Sequence, residues 1–73
     1  MTLEQKQKLE KMLCDYSRKV AYCELDDKLQ QAFIYQDRIR QIQEVLEVLG
    51  YKVKKEWKEF PNVISYYVYT ITG

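Results

Sequence analysis

With 73 residues, 12 basic and 11 acidic side chains, two cysteines and no histidine, the chain is one small, nearly neutral domain spanning residues 1–73. Without histidine no serine or cysteine has its usual activating base, and two thiols alone do not complete a tetrahedral zinc site. A formal charge of +1 falls short of the basic excess expected of a nucleic-acid-binding domain.

Helical periodicity governs the first two thirds. Thr2 and Gln5 stand at capping-box spacing. From there Leu9, Met12, Leu13, Tyr16, Val20 and Cys23 keep one stripe, while Lys6, Lys8, Lys11, Asp15, Arg18 and Lys19 fall largely off it. This predicts an amphipathic helix of about six turns. Cys14 and Cys23 point to opposite sides of that helix, about 13 Å apart along its axis. A disulfide needs α-carbons within about 7 Å, so reduced thiols are expected. The start, MTLEQKQKLE, lacks the apolar core of a signal peptide, and no apolar run of about 18 residues exists to span a membrane. A cytoplasmic location without membrane contact is the expectation.

The apolar face then flips by about 200° between Cys23 and Leu25. A second stripe runs Leu25, Leu29, Ala32, Ile39, Ile42, Leu46 and Leu49, with Gln36 and Gln43 lying within it. The flip predicts an antiparallel helical hairpin turning near Glu24 to Asp27. Asp26 or Asp27 is expected to cap the second helix, with Asp27 and Gln30 as a second box. The rival is one long helix, which the lack of Gly or Pro in YCELDDKLQ permits. Ile34, Tyr35, Val45 and Val48 lie off the stripe and Phe33 at its edge, an apolar arc wide enough for more than one neighbour. Gly50 stands where a left-handed residue ends a helix.

After Gly50 the period drops to two. Tyr51, Val53, Lys55 and Trp57 alternate with Lys52, Lys54, Glu56 and Lys58, and Pro61–Asn62 supplies a turn. In the second strand Ile64, Tyr66 and Val68 occupy one face, and Val63, Tyr67, Tyr69 and Ile71 the other. A strand apolar on both faces is normally covered on both, and a lone hairpin is marginal in water. The predicted fold is α+β, a two-helix hairpin followed by a C-terminal β-hairpin (ααββ), self-associating. Oligomerisation is also what a chain this short uses when disulfides and metals are absent.

No residue set points to catalysis, and no cofactor or metal is expected. Ser17, Ser65, Cys14 and Cys23 read as structural. Asp26 and Asp27 read as helix-start acids, Glu44 and Glu47 as a solvated helix surface, and neither Gly50 nor Gly73 belongs to a phosphate-binding loop. Lys52, Lys54, Lys55 and Lys58 suit a solvated strand edge better than a single-stranded nucleic acid. The enriched type is tyrosine. Trp57, Tyr66, Tyr67 and Tyr69 concentrate on the hairpin, and such side chains favour interfaces. Ile34 and Tyr35 form a second candidate patch. The hairpin aromatics also suit a small-ligand pocket between subunits.

The segment DRIRQIQEVLEVLGYKV, Asp37 to Val53, carries Arg38-Ile39, Ile42, Glu44-Val45-Leu46 and Leu49-Gly50-Tyr51. It resembles a segment of short uncharacterised proteins of Gram-positive phages and mobile elements. That resemblance covers under a quarter of the chain and transfers no functional residues. It implies an accessory protein that binds, blocks or sequesters a host component. The expected function is thus non-enzymatic protein binding, as an adaptor or inhibitor acting as a homo-oligomer. The alternatives are an oligomer that sequesters a nucleotide-like molecule at inter-subunit tyrosines, and a nucleic-acid regulator using the hairpin lysines.

Overall fold

A computed structural model describes residues 1–73. Its elements are α1 (Leu3–Leu25), α2 (Leu29–Val48), β1 (Lys52–Lys58) and β2 (Tyr66–Thr72), an α+β fold in the predicted order ααββ. The capping box forms: the Gln5 amide donates to Thr2 Oγ1 at 3.1 Å, and the Thr2 amide donates to Gln5 Oε1 at 3.0 Å. No helix is long and apolar enough to cross a membrane.

The chain reverses at Asp26–Lys28, giving two helices rather than one. The two aspartates end α1 instead of starting α2. Asp26 is the C-cap and Asp27 takes a left-handed φ of 58°. The Lys28 amide donates to Cys23 O at 2.7 Å and the Asp27 amide to Glu24 O at 3.3 Å. This is the Schellman pattern, which satisfies carbonyls that a helix end leaves without partners. The N-cap of α2 is Lys28, with no side-chain cap, so the second capping box does not form. Left-handed backbone is easier for Asp than for most non-glycine residues, and the segment contains no Gly to take the position. Asp27→Gly should therefore stabilise the fold by about 0.5–1 kcal/mol, raising Tm by roughly 3–6 °C in a domain of this size. Asp27→Ala, which keeps the Cβ but lacks the short polar side chain that eases left-handed backbone, should lower Tm in the same melting experiment.

The same pattern closes α2, with glycine in the special position. Gly50 has a φ of 93°, its amide donates to Glu47 O at 3.0 Å, and the Tyr51 amide donates to Leu46 O at 2.9 Å. The exit angle this sets launches β1 immediately.

β1 and β2 pair antiparallel, with Val53 opposite Ile71, Lys55 opposite Tyr69 and Trp57 opposite Tyr67. Side chains alternate across a strand, so these six share the helix-facing side. Tyr69 and Ile71 join Leu13, Ile39 and Leu46 in the core, with Leu9, Tyr16, Val20, Ile42, Tyr51 and Val53 packed around it. Pro61 and Asn62 occupy the centre of a turn closed by the Val63 amide donating to Phe60 O at 3.4 Å. β2 begins at Tyr66, later than the apolar run from Val63 suggests. Residues 59–65 form a loop in which the Phe60 amide donates to Ser65 Oγ at 3.4 Å and the Phe60 ring stacks on Tyr66 at 4.8 Å. The first of these takes up a Phe60 amide that ladder pairing would otherwise use.

The sheet has only two strands, and α1 closes one of its edges. The Ile71 amide donates to Glu10 Oε2 at 2.9 Å, and the Cys14 thiol approaches Tyr69 O at 3.9 Å. The edge of β1 has no such neighbour and carries the exposed lysines. A single chain covers only part of β2: on the helix-facing side Tyr69 and Ile71 are buried but Tyr67 is exposed, and on the other face Tyr66 and Val68 are half-buried.

Candidate functional site: an aromatic cleft and an uncovered helix face

The hairpin seals the helices near its open end and stands off them toward its turn. Ile71 and Tyr69 sit on Leu13, but farther along the wide pair Trp57 and Tyr67 lies over a cleft lined by the small Ser17 and Ala21. A cleft of about 740 Å³ remains. From α1 it is lined by Ser17, Val20 and Glu24, and from α2 by Gln36, Ile39, Arg40 and Gln43. The hairpin supplies Lys55, Trp57, Tyr66, Tyr67 and Tyr69.

All four hairpin aromatics singled out in the sequence thus meet at one concave site within a single chain. Trp57 (51% exposed) and Tyr67 (40% exposed) pack edge to face with centroids 4.9 Å apart. Lys55 Nζ stands 4.0 Å from the Tyr67 ring centroid. Tyr69 is buried in the core and forms part of the wall. Arg40 is engaged by Asp37 and lies 4.0 Å from Glu44, and Gln36 Nε2 donates to Glu24 Oε1 at 3.3 Å.

Burial pushes the Tyr69 phenol above its ordinary value, with the nearby Tyr67 and Cys14 adding to the shift. Its ionised form is therefore disfavoured in the folded state. The sign is fixed by linkage: the contribution is intact below pH 10, the ordinary phenol value, and is lost as pH rises through the higher folded value. Tyr69→Phe should flatten the alkaline fall in stability above that pH, measured by urea unfolding across a pH series, while changing the neutral-pH value little.

Ile34 and Tyr35 lie elsewhere. The helical period turns Val45 and Leu49 to the side of α2 opposite Gln36, Arg40 and Gln43, away from the sheet, while Ile34 borders a depression it shares with Phe33, Gln36, Asp37 and Arg40. Val45, Val48 and Leu49, at i, i+3 and i+4, share one surface and are 60%, 85% and 66% exposed. Leu49 also borders a depression of about 480 Å³ with Leu9, Met12, Leu46 and Tyr51. On the same side Tyr35 stacks on Tyr16 of α1 at 5.9 Å. Lys19 Nζ lies 5.5 Å from the Tyr35 centroid, and the Arg38 guanidinium lies 5.8 Å from that of Tyr16.

No family model, curated protein or solved structure matches the chain. The functional reading therefore rests on its own geometry.

Sequence reasoning did not assemble the polar side of the cleft. Its signals were present as interruptions of pattern: Gln36 and Gln43 inside an apolar stripe, and Lys55 at an inward position of a strand. Each is polar because it faces the cleft instead of the sealed core. No three His, Cys, Asp or Glu side chains converge as a metal site would require, and Cys14 and Cys23 are both free thiols.

Proposed function

We propose that this chain is a small non-enzymatic protein-binding protein, an adaptor or inhibitor that acts as a homo-oligomer. The observation that carries this reading is the exposed apolar cluster at the end of α2, Val45, Val48 and Leu49, with Ile34 exposed about three turns away beyond Arg38 and Gln41. Only eight of the 73 residues are buried, so one chain hides little of its apolar surface. Contiguous exposed apolar patches on soluble proteins mark interaction sites, and a second copy is the occupant always at hand. Met12 extends the patch onto α1 through the depression it shares with Leu49, whereas the stacked rings of Tyr16 and Tyr35 lie under Lys19 and Arg38. The outer face of β2 around the half-buried Val68 remains for a different protein partner. The resemblance in Asp37–Val53 supports an origin in a phage or mobile element, where small binding proteins act on host components. Proteins that fold with a partner copy gain stability by mass action, so Tm should rise as protein concentration is raised a hundredfold. A Tm independent of concentration would count against self-association.

The hairpin lysines favour the solvated-edge reading over nucleic-acid binding. Lys52, Lys54 and Lys58 project from the outer face of β1, while Lys55 turns inward to the cleft, so the four do not form one basic surface.

A further inference from the structure

We propose that the cleft between the helices and the outer half of the hairpin binds a planar aromatic ligand bearing an anionic group, with the chemistry of a mononucleotide. The site lies inside one chain, on the opposite side of α2 from the self-association face, and so goes beyond that reading and does not depend on it.

Three features converge. The first is size: about 740 Å³ falls in the range of roughly 300–1,000 Å³ typical of small-molecule sites. The second is an exposed ring. Trp57, half in water and braced edge to face by Tyr67, presents stacking surface to the cleft, and bases stack on such aromatic side chains whatever their sequence. The third is charge. Arg40 is paired with Asp37 and Glu24 is held by Gln36, which leaves Lys55 as the one cleft cation without a carboxylate partner. Its ammonium lies over one face of the Tyr67 ring, 4.0 Å from the centroid, next to Trp57, and so is placed for the phosphate of a base stacked on Trp57. The Gln43 side chain makes no hydrogen bond within the chain, lines the cleft, and offers both donor and acceptor to a base edge.

An inward lysine on an edge strand also discourages strand-to-strand aggregation. The two roles differ in what Lys55→Gln does. Trp57 is the only tryptophan, so intrinsic fluorescence reports on the cleft directly. Titration of the full chain with AMP should shift Trp57 emission saturably, adenosine should bind more weakly, and inorganic phosphate alone should bind hardly at all. Lys55→Gln should weaken AMP by about tenfold and leave adenosine unchanged. Trp57→Ala, followed by calorimetry, should weaken both. The inference is overturned if AMP up to about 5 mM changes neither emission nor heat. It is equally overturned if Lys55→Gln alters only aggregation while AMP binds as before, or if phosphate alone competes as well as AMP. A monomer that binds AMP would remove self-association and leave this site standing; an oligomer blind to AMP would do the reverse.

Discussion

Leu13→Ala is expected to cost about 3 kcal/mol, within the usual range of about 2–5 for a leucine truncated in a core. Leu13 is fully buried and sits where α1, α2 and β2 meet, with Ile39, Leu46, Tyr69 and Ile71 in the same cluster. Five buried side chains make a small core, so there is little neighbouring mass to collapse into the gap. Domains typically hold about 0.05–0.15 kcal/mol per residue, which for this length means roughly 4–11 kcal/mol in total. The variant should consequently unfold at a much lower urea concentration with an unchanged slope. Leu25→Ala provides the control: Leu25 is highly exposed at the end of α1, and its truncation should cost under about 0.5 kcal/mol. Similar losses for both variants would mean that the described core is not the one that holds the chain together.

The second large effect concerns association. Val45→Lys combined with Leu49→Lys should weaken self-association by at least about 100-fold, equivalent to roughly 2.7 kcal/mol. In a two-fold interface each substitution is present on both subunits, so four charges must leave water for the contact to form. The isolated fold should tolerate the change, because both positions are exposed and lysine is a good helix former. Far-UV circular dichroism should thus remain that of the parent while the apparent mass falls. An unchanged mass would place the contact elsewhere, with the outer face of β2 as the next surface to alter.

The parts of the fold legible in the sequence are those decided by local chemistry. Thr2 with Gln5, Gly50, and Pro61 with Asn62 each act through backbone angles or neighbouring amides, and each does what its type predicts. The turn between the helices was legible in position from the flip of the apolar face, but not in mechanism. Asp27 suits a helix start as readily as a left-handed stop, and the choice depends on how the following residues pack. The start of β2 was misplaced because apolar content does not separate a strand from a loop whose aromatic rings stack on each other. The cleft was legible only in fragments. Alternation places Trp57, Tyr67 and Tyr69 on one side of the sheet, yet whether that side is sealed or open depends on how the hairpin lies across two helices. That is a tertiary quantity, and it makes Tyr69 a core residue while Trp57 remains half in water.

The most direct test is the solution mass across a concentration range. Sedimentation equilibrium from about 1 to 100 μM, the span over which modest interfaces assemble, should show the average mass climbing from that of the 8.9 kDa chain toward an integer multiple of it, with the Val45→Lys, Leu49→Lys variant staying at the lower value. A parent chain that remains one 8.9 kDa species at every concentration would contradict the claim that a second copy covers the exposed side of α2.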